Sequence, residues 1–150
     1  MRRGLSVGDL GDLVELPLVA TLATYRADGS VLLSPVWHEH VAPGFVVCSS
    51  WDDVKVRHLR RNPKAVLLLA ESRPPYRGVE LRAEAELCRE GVEESLRRIA
   101  ARYLGDAGAE IYLSSARDDT VIRLLPGELR AWDFSDTALG RPADTARGEE

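Results

Sequence analysis

One segment, residues 45–64, constrains the fold most, because an apolar run passes directly into a basic one. Phe45–Cys48 is short and continuously apolar, which is typical of a buried strand. Ser50 followed three residues later by Asp53 is typical of a helix start. The predicted helix ends at Asn62-Pro63, since a residue before proline is pushed out of the α region. The segment therefore predicts a strand that leads into a short surface helix.

The predicted helix has one apolar face and one basic face. Val56 and Leu59 point inward at a spacing of three, and the basic side chains remain outside: Lys55, Arg57, Arg60 and Arg61. Backbone N–H groups at a helix N-terminus, nearby hydroxyl groups and a lysine ammonium all favour an anion. The corner between strand and helix is therefore a candidate phosphate site. A surface helix with a solvated basic face explains the same residues equally well, and the sequence leaves both interpretations open.

Two acidic residues, Asp52 and Asp53, stand at the start of this helix. They would themselves satisfy the positive end of the helix dipole, and they would repel a phosphate. A phosphate bound at this corner would therefore depend on Lys55, Arg57 and the hydroxyl groups more than on the helix end.

The composition fits one domain with its own core, since 45% of the 150 residues are hydrophobic and 29% are charged. A formal net charge of -4 argues against general binding of nucleic acid. Asp9 and Asp12 interrupt the region where a signal peptide is apolar, and no apolar run approaches a membrane span. We therefore expect a cytoplasmic protein, in which Cys48 and Cys88 are free, buried thiols.

The first third of the chain predicts a short helix and a hairpin. Ser6 is a candidate N-cap for a helix that reaches about Leu16, with an apolar stripe at helical spacing. Leu18–Thr24 is a predicted strand, and the Ala27–Ser30 turn leads into a second strand that begins at Val31. The next strand carries Ser34–His40, in which Pro35 suits a sheet edge, a bulge or a bend.

The rest of the chain predicts further strands and a long helix. Ala65–Ala70 is a continuously apolar strand, and Val79–Cys88 alternates apolar and charged residues, as a strand with one buried face does. Gly91–Leu104 has the periodicity of an amphipathic helix, and a second short helix includes Ile111–Leu113. Val121–Phe134 predicts a last hairpin that turns at Pro126-Gly127.

Many short strands with few helices predict an antiparallel barrel, partly or fully closed, with helices at its rims. We expect one domain over residues 1–136 and a disordered tail over residues 137–150, which are rich in Ala, Asp, Arg, Gly and Glu.

No dinucleotide-binding glycine turn, Walker-type loop or zinc-ligand spacing is present in the sequence. His38 and His40 lie two apart on a predicted strand and would share a face. A third metal ligand does not follow from local spacing, so we expect a pair of solvated or hydrogen-bonded histidines and no metal site.

Residues 18–90 resemble the split-barrel flavin-binding proteins related to pyridoxamine 5′-phosphate oxidase, and in particular the branch that uses the deazaflavin coenzyme F-420. The resemblance lies in the order of several short motifs: Leu22-Ala23-Thr24, Ala27–Ser30, Ser34–Trp37, Ser49-Ser50 before Lys55–Pro63, Pro75–Arg77 before Val79–Arg82, and Pro126–Trp132. It implies an α+β, mainly β fold, an antiparallel split β-barrel with flanking helices. It also implies a homodimer with paired cofactor sites at its interface.

The resemblance implies a role for eleven residues in binding the cofactor. Lys55 and Arg57 would hold the cofactor phosphate beside Val56 of the same helix, with Ser49 and Ser50 as hydroxyl donors. The ring would be lined by one strand: Ser34, Pro35, Val36 and Trp37. Tyr76 and Arg77 would come from a loop that covers the cofactor or its tail. Catalytic residues are not assigned, and Trp37 and Trp132 are explained equally well as barrel or interface packing.

Three hypotheses follow from the resemblance. In the first, the protein is an oxidoreductase that transfers a hydride between coenzyme F-420 and a small unsaturated or conjugated substrate. Asp52 and Asp53, beside the candidate phosphate site, favour such a loosely held, exchangeable cosubstrate over a permanent flavin. In the second, it binds FMN, as an enzyme that oxidises a phosphorylated pyridoxamine would. In the third, it is a non-catalytic barrel that binds a flavin or haem, with His38 or His40 as a haem ligand.

Overall fold

The computed structural model of the chain describes residues 1–115 and 117–138, and in these ranges eight antiparallel strands form one sheet. The strands are β1 (Arg2–Arg3), β2 (Ala20–Tyr25), β3 (Val31–Val36), β4 (Glu39–Val41), β5 (Gly44–Ser50), β6 (Lys64–Ala70), β7 (Gly78–Cys88) and β8 (Asp119–Asp133). Their order is β3-β2-β6-β7-β8-β5-β4, and β1 pairs with β8. Two helices, α1 (Val54–Arg61) and α2 (Val92–Leu113), flank the sheet. The predicted split-barrel, mainly β fold is confirmed.

Strands β3 and β4 lie at the two ends of the hydrogen-bonded order, although they follow each other in the chain. The prediction of one strand over Ser34–His40 is therefore wrong, because Trp37 and His38 leave the ladder and carry the chain from one sheet edge to the other. Pro35 lies on the edge strand β3, as predicted, where its missing N–H leaves no hydrogen bond unmade.

Strand β5 is buried on both faces, which explains why Phe45–Cys48 is apolar without alternation. Phe45 and Val47 point into the main core inside the barrel. Val46 and Cys48 point the other way, into a second cluster with Ile99 of α2. One strand thus joins the two hydrophobic clusters.

Helix α1 packs its apolar face against the main core. Val56 is 0% exposed and Leu59 is 3% exposed, so both predictions of inward residues are confirmed. Between them, His58 shares a buried 2.9 Å hydrogen bond with Thr24 of β2. This contact ties the helix that follows β5 to the far side of the sheet.

The N-terminal segment contains two 3-10 turns, Val7–Leu10 and Leu13–Glu15, where one helix up to about Leu16 is predicted. Gly11, at a φ of 63°, interrupts the helical backbone between them. Ser6 is the N-cap, as predicted, and it exchanges hydrogen bonds with Asp9. The burial of the apolar stripe is as predicted, since Leu10, Leu13 and Val14 are all buried. The type of the helix and its continuity are wrong.

Helix α2 is longer than predicted and contains a kink. Gly105 has a φ of 74° and a ψ of 170°, which divides the helix into two parts. The first part matches the predicted Gly91–Leu104 helix, and the second contains the short helix predicted at Ile111–Leu113. The kink turns the second part toward Trp37, whose ring Tyr112 contacts.

The hairpin predicted at Pro126-Gly127 is wrong, because β8 runs through both residues as one strand. Leu125 and Leu129 both pair with β7, and an irregularity between Leu81 and Ala83 absorbs the change of register. Of the tail predicted from residue 137 onward, residues 139–150 lie outside the described part of the chain. Among the described residues, neither α1 nor α2 is both long enough and apolar enough to cross a membrane.

Candidate functional site

A cavity of about 260 Å³ lies between the end of β3, strand β5 and the two helices. Its lining residues are Pro35, Val36, Trp37, Cys48, Lys55, Leu96, Ile99 and Tyr112. Larger hollows of about 350, 850 and 380 Å³ occur elsewhere on the surface, but none of the predicted site residues lines them. The smaller cavity joins the predicted Pro35–Trp37 strand end to the predicted phosphate lysine, and it is therefore the candidate site.

One wall of the cavity is aromatic. The ring centroid of Trp37 lies 4.9 Å from that of Tyr103, and the two rings are 10° from parallel. Tyr112 lies 5.3 Å from Trp37 on the same wall, and the guanidinium of Arg117 stands 3.7 Å from the Tyr112 ring centroid. Such flat, polarisable surfaces suit the face or the edge of a planar ring system.

The opposite corner of the cavity carries a lysine that is already paired. Lys55 Nζ lies 2.8 Å from Asp53 Oδ2, and Ser49 Oγ donates to the same oxygen at 3.2 Å. Burial would raise the pKa of Asp53, but the hydrogen bonds from Lys55 and Ser49 outweigh it and hold that pKa below its usual value. The corner therefore contains an ion pair, not an isolated cation.

Helix α1 begins at Asp53 and not at Ser50. The side chain of Asp53 accepts a hydrogen bond from the backbone N–H of Lys55, as an N-cap does. Ser50 is exposed at the end of β5, and its carbonyl accepts the Asp53 N–H at 3.0 Å. The predicted start is wrong by three residues because a carboxylate caps a helix as well as a hydroxyl does.

Cys48 contributes a thiol to the cavity but no nucleophile. Burial, followed by the nearby carboxylates of Asp119 and Glu39, raises the pKa of this thiol to about 12. The thiol therefore stays protonated at neutral pH and acts as an apolar lining group. Cys48 and Cys88 are both free, as predicted, although both are only partly buried.

Three predicted residues lie near the cavity without lining it. Ser34 is half-buried and pairs with Leu22 on the ladder between β2 and β3. The side chain of Val56 is fully buried in the main core, so only its backbone could reach a ligand. Arg57 is exposed on the outer face of α1.

The loop before β7 is anchored to the N-terminal turns and does not line the cavity. Arg77 pairs with Glu71 at 2.8 Å and with Asp12 at 2.7 Å, and it also donates to the carbonyl of Leu10. These carboxylates raise the pKa of Arg77, which remains charged. Tyr76 is 38% exposed, and its ring meets that of Phe134 edge to face. Arg77 thus has a structural role within one chain.

The two histidines share a face, since both rings contact Phe45, but they differ in environment. His38 is 0% exposed, and neither of its ring nitrogens has a hydrogen-bond partner among the described residues. The expectation of a solvated or hydrogen-bonded ring is therefore wrong for His38. His40 is partly exposed and lies 3.7 Å from Glu15. In the described ranges, no three side chains of His, Cys, Asp or Glu come together as metal ligands.

Four lining residues were not among the predicted site residues: Cys48, Leu96, Ile99 and Tyr112. The helical periodicity of Leu96 and Ile99 assigns them to the core, and both are buried on the inner face of α2. Only the kink at Gly105 brings Tyr112 to the cavity, and no local signal in the sequence indicates its direction.

A family model described as pyridoxamine 5′-phosphate oxidase matches residues 9–133, from the first 3-10 turn to the end of β8. The chain belongs to the pyridoxamine 5′-phosphate oxidase family. The match includes the cavity and every predicted site residue. A search of curated proteins finds none that matches this family member.

Solved structures of several kinds share the fold of this pyridoxamine 5′-phosphate oxidase family member. A conserved hypothetical protein from Mycobacterium tuberculosis is 25% identical, with a TM-score of 0.75 over 97% of this chain and 94% of that one. An F420 reductase is 22% identical, with a TM-score of 0.66 over 79% and 93% of the two chains. A haem storage protein from Vibrio cholerae is 21% identical, with a TM-score of 0.63 over 82% and 92%. These neighbours include a reductase and a haem storage protein, so the shared fold occurs in proteins of different function.

Proposed function

We propose that the protein is an oxidoreductase that transfers a hydride between the deazaflavin coenzyme F-420 and a small unsaturated or conjugated substrate. The observation that carries the proposal is the cavity that joins the aromatic wall at Trp37 to the ammonium group of Lys55. An F420 reductase of the same fold supports the choice of cofactor. When bound, the deazaflavin supplies the hydride chemistry.

The residues of the cavity fit a planar ring that carries an anionic tail. Pro35, Val36 and Trp37 offer an apolar edge and backbone groups to the ring, and Tyr112 covers it from α2. Lys55 would hold the phosphate, with Ser49 as a hydroxyl donor and Arg57 as a second cation at the rim. The protonated thiol of Cys48 is uncharged and adds a weakly polar surface to this part of the site.

The decisive experiment compares Lys55→Met with Lys64→Met, because Lys64 is exposed on β6 and is the other lysine of the chain. Titration with F-420, followed by its own fluorescence, should show binding about tenfold weaker for Lys55→Met and unchanged for Lys64→Met, since a charge-assisted phosphate contact is lost only in the first. Lys55→Met also removes the partner of Asp53 and should lower the unfolding temperature, so binding is compared at a temperature at which both variants are folded. Equal affinity in wild type and Lys55→Met would overturn the assignment of Lys55 to phosphate.

An FMN-dependent oxidase is the second candidate, because the family model that matches the chain is named for pyridoxamine 5′-phosphate oxidase. The paired Lys55 supports F-420 instead, since a permanently held FMN is better served by an unopposed cation. The same titration with FMN separates the two candidates. Tighter binding of FMN than of F-420, or a yellow protein as purified, would favour the oxidase.

A haem-binding role is supported by the Vibrio cholerae neighbour alone. The ring of His38 is enclosed, so a haem iron could reach its nitrogens only if the crossing between β3 and β4 opened. His40 is the more accessible ligand, but it faces Glu15. A shift of the Soret band on addition of haem, reverting to that of free haem in His40→Ala, would establish this role.

We also propose that two copies of the chain pair through the outer face of β3, β2 and β6. Val31 and Leu33 are 43% and 65% exposed on β3, and Leu68 is 38% exposed on β6. Thr21 of β2 pairs with both Pro35 and Leu68, so Pro35, Thr21 and Leu68 form one row across this face of the sheet. Pro35 also lines the cavity, and a second copy on this face would therefore border the cofactor site.

A further inference from the structure

We propose that Asp53 sets the kind of phosphate that the site accepts, because it cancels the advantage that Lys55 alone would give a phosphomonoester over a phosphodiester. The inference rests on the proposed function, in which Lys55 holds the phosphate of the cofactor. Asp53 would act as a built-in competitor for Lys55, and a ligand phosphate would bind in the presence of its negative charge.

Asp53 contacts both of the side chains that would hold the phosphate. Its Oδ2 atom accepts hydrogen bonds from Lys55 Nζ and Ser49 Oγ, at 2.8 and 3.2 Å. The side chain of Lys55 is only 13% exposed, so its ammonium has little room to leave this partner. A phosphate that approaches Lys55 and Ser49 is therefore repelled by the carboxylate of Asp53, to which both side chains already donate hydrogen bonds.

Charge then separates two classes of ligand. A phosphomonoester carries about -1.5 to -2 at pH 7, whereas a phosphodiester carries a single negative charge. Lys55 is the charged residue of the cavity lining, and Asp53 offsets it. The carboxylate therefore repels a monoester, such as that of FMN, nearly twice as strongly as a diester, such as that of F-420. Because hydrogen bonds hold its pKa below the usual value, Asp53 keeps its charge at neutral pH.

The neighbouring Asp52 provides a matched control. It is exposed at the same helix start and, within the part of the chain that the structure describes, makes no ion pair or side-chain hydrogen bond. Asp52→Asn removes the same formal charge as Asp53→Asn, from almost the same place in the sequence. A general change in net charge would affect both variants alike, whereas the proposed competition affects only Asp53.

The experiment measures the dissociation constants of FMN, F-420 and riboflavin for wild type, Asp53→Asn and Asp52→Asn. Asparagine caps a helix as well as aspartate does, so α1 should remain intact. Asp53→Asn should tighten FMN binding about fivefold and F-420 binding about twofold, in line with the strength of partly exposed ion pairs. Riboflavin, which lacks a phosphate, should bind unchanged, and Asp52→Asn should leave all three ligands unchanged.

The possible outcomes separate this inference from the function on which it rests. Equal tightening of FMN and F-420, tightening of riboflavin, or weaker binding of FMN in Asp53→Asn would overturn the selection by Asp53 while the proposed cofactor stands. Binding of none of the three ligands by wild type would overturn the proposed function itself. If the unfolding temperature shows that Asp53→Asn is misfolded, Asp53→Ser, which retains a capping hydroxyl, replaces it in the same titrations.

Discussion

Tyr103 stacks on Trp37 and at the same time bridges two backbone segments through its hydroxyl. The hydroxyl donates to the carbonyl of Leu18 at 2.7 Å and accepts the backbone N–H of His38 at 3.1 Å. One side chain of α2 thus holds the chain before β2 and the crossing between β3 and β4. The position of Trp37 at the cavity depends on this contact as well as on the stack.

Tyr103→Phe should destabilise the fold while keeping the stack on Trp37. Loss of the hydroxyl leaves the carbonyl of Leu18 and the N–H of His38 without this partner, which costs about 1 to 3 kcal/mol for a buried group. Urea unfolding measures the change. Tyr112→Phe is the control, because the hydroxyl of Tyr112 makes no hydrogen bond to any described residue; a similar loss in both variants would argue against the bridge.

Arg77→Met should be strongly destabilising, because it leaves the carboxylate of Glu71, which is 9% exposed, without its partner. Breaking one side of a buried ion pair costs about 3 kcal/mol. Arg82→Met, in an exposed pair with Glu128, should cost less than about 1 kcal/mol. Equal free energies of unfolding for the two variants would exclude an anchoring role for Arg77.

The effect of Arg77→Met should also depend on pH. The hydrogen bonds from Arg77 lower the pKa of Glu71 in the folded protein below its ordinary value of 4.5. The stabilisation by this pair is therefore complete above pH 4.5 and is lost as the pH falls through the lower, folded-state pKa. The difference between wild type and variant should shrink below pH 4.5, and a constant difference would contradict this origin.

The buried His38 should make the fold sensitive to mild acid. Burial, followed by the positive charges of Arg102 and His40, lowers the pKa of His38 from 6.5 to about 4. The unfolded chain takes up this proton first, so stability is full above pH 6.5 and falls until about pH 4, by up to about 3 kcal/mol. Urea unfolding of His38→Leu should show a shallower pH dependence over this range. The same slope in wild type and variant would show that His38 does not titrate in this way.

Leu33→Glu should convert the proposed dimer into a monomer, because it buries a carboxylate at the centre of the proposed interface. Size-exclusion chromatography with light scattering gives the mass directly. Ile111→Glu provides the control, since Ile111 is 74% exposed but lies on α2, away from the sheet face. A monomeric wild type, or a variant that stays dimeric, would exclude this interface.

Local patterns predict the strands well where burial on one face or on both sets the pattern of apolar residues. The alternation in β7 and the apolar run of β5 both follow from their burial, and Gly29 does take the positive φ that the first hairpin needs. The Pro126-Gly127 hairpin fails because its turn signal is local, whereas the pairing of β8 with β7 is set by distant residues. A turn motif such as Pro-Gly does not end a strand when the pairing on both sides of it continues and a β-bulge accommodates the change of register.

The candidate site could be predicted in part. The Pro35–Trp37 strand end and Lys55 are recognisable as motifs, and the structure brings them to one cavity. The pairing of Lys55 with Asp53 requires knowledge of the helix start, which the sequence places three residues too early. The contribution of Tyr112 depends on a helix kink, and the burial of His38 depends on where the chain crosses between sheet edges.

Strand β8 pairs with β1, β5 and β7, and it is the last strand among the residues that the structure describes. During synthesis, one edge of β5 and one edge of β7 therefore stay open until residues 119–133 have left the ribosome. Contacts this distant in sequence form slowly, and open strand edges pair readily with other chains. We expect the yield of folded protein in a cell to depend on chaperones and on the rate of translation.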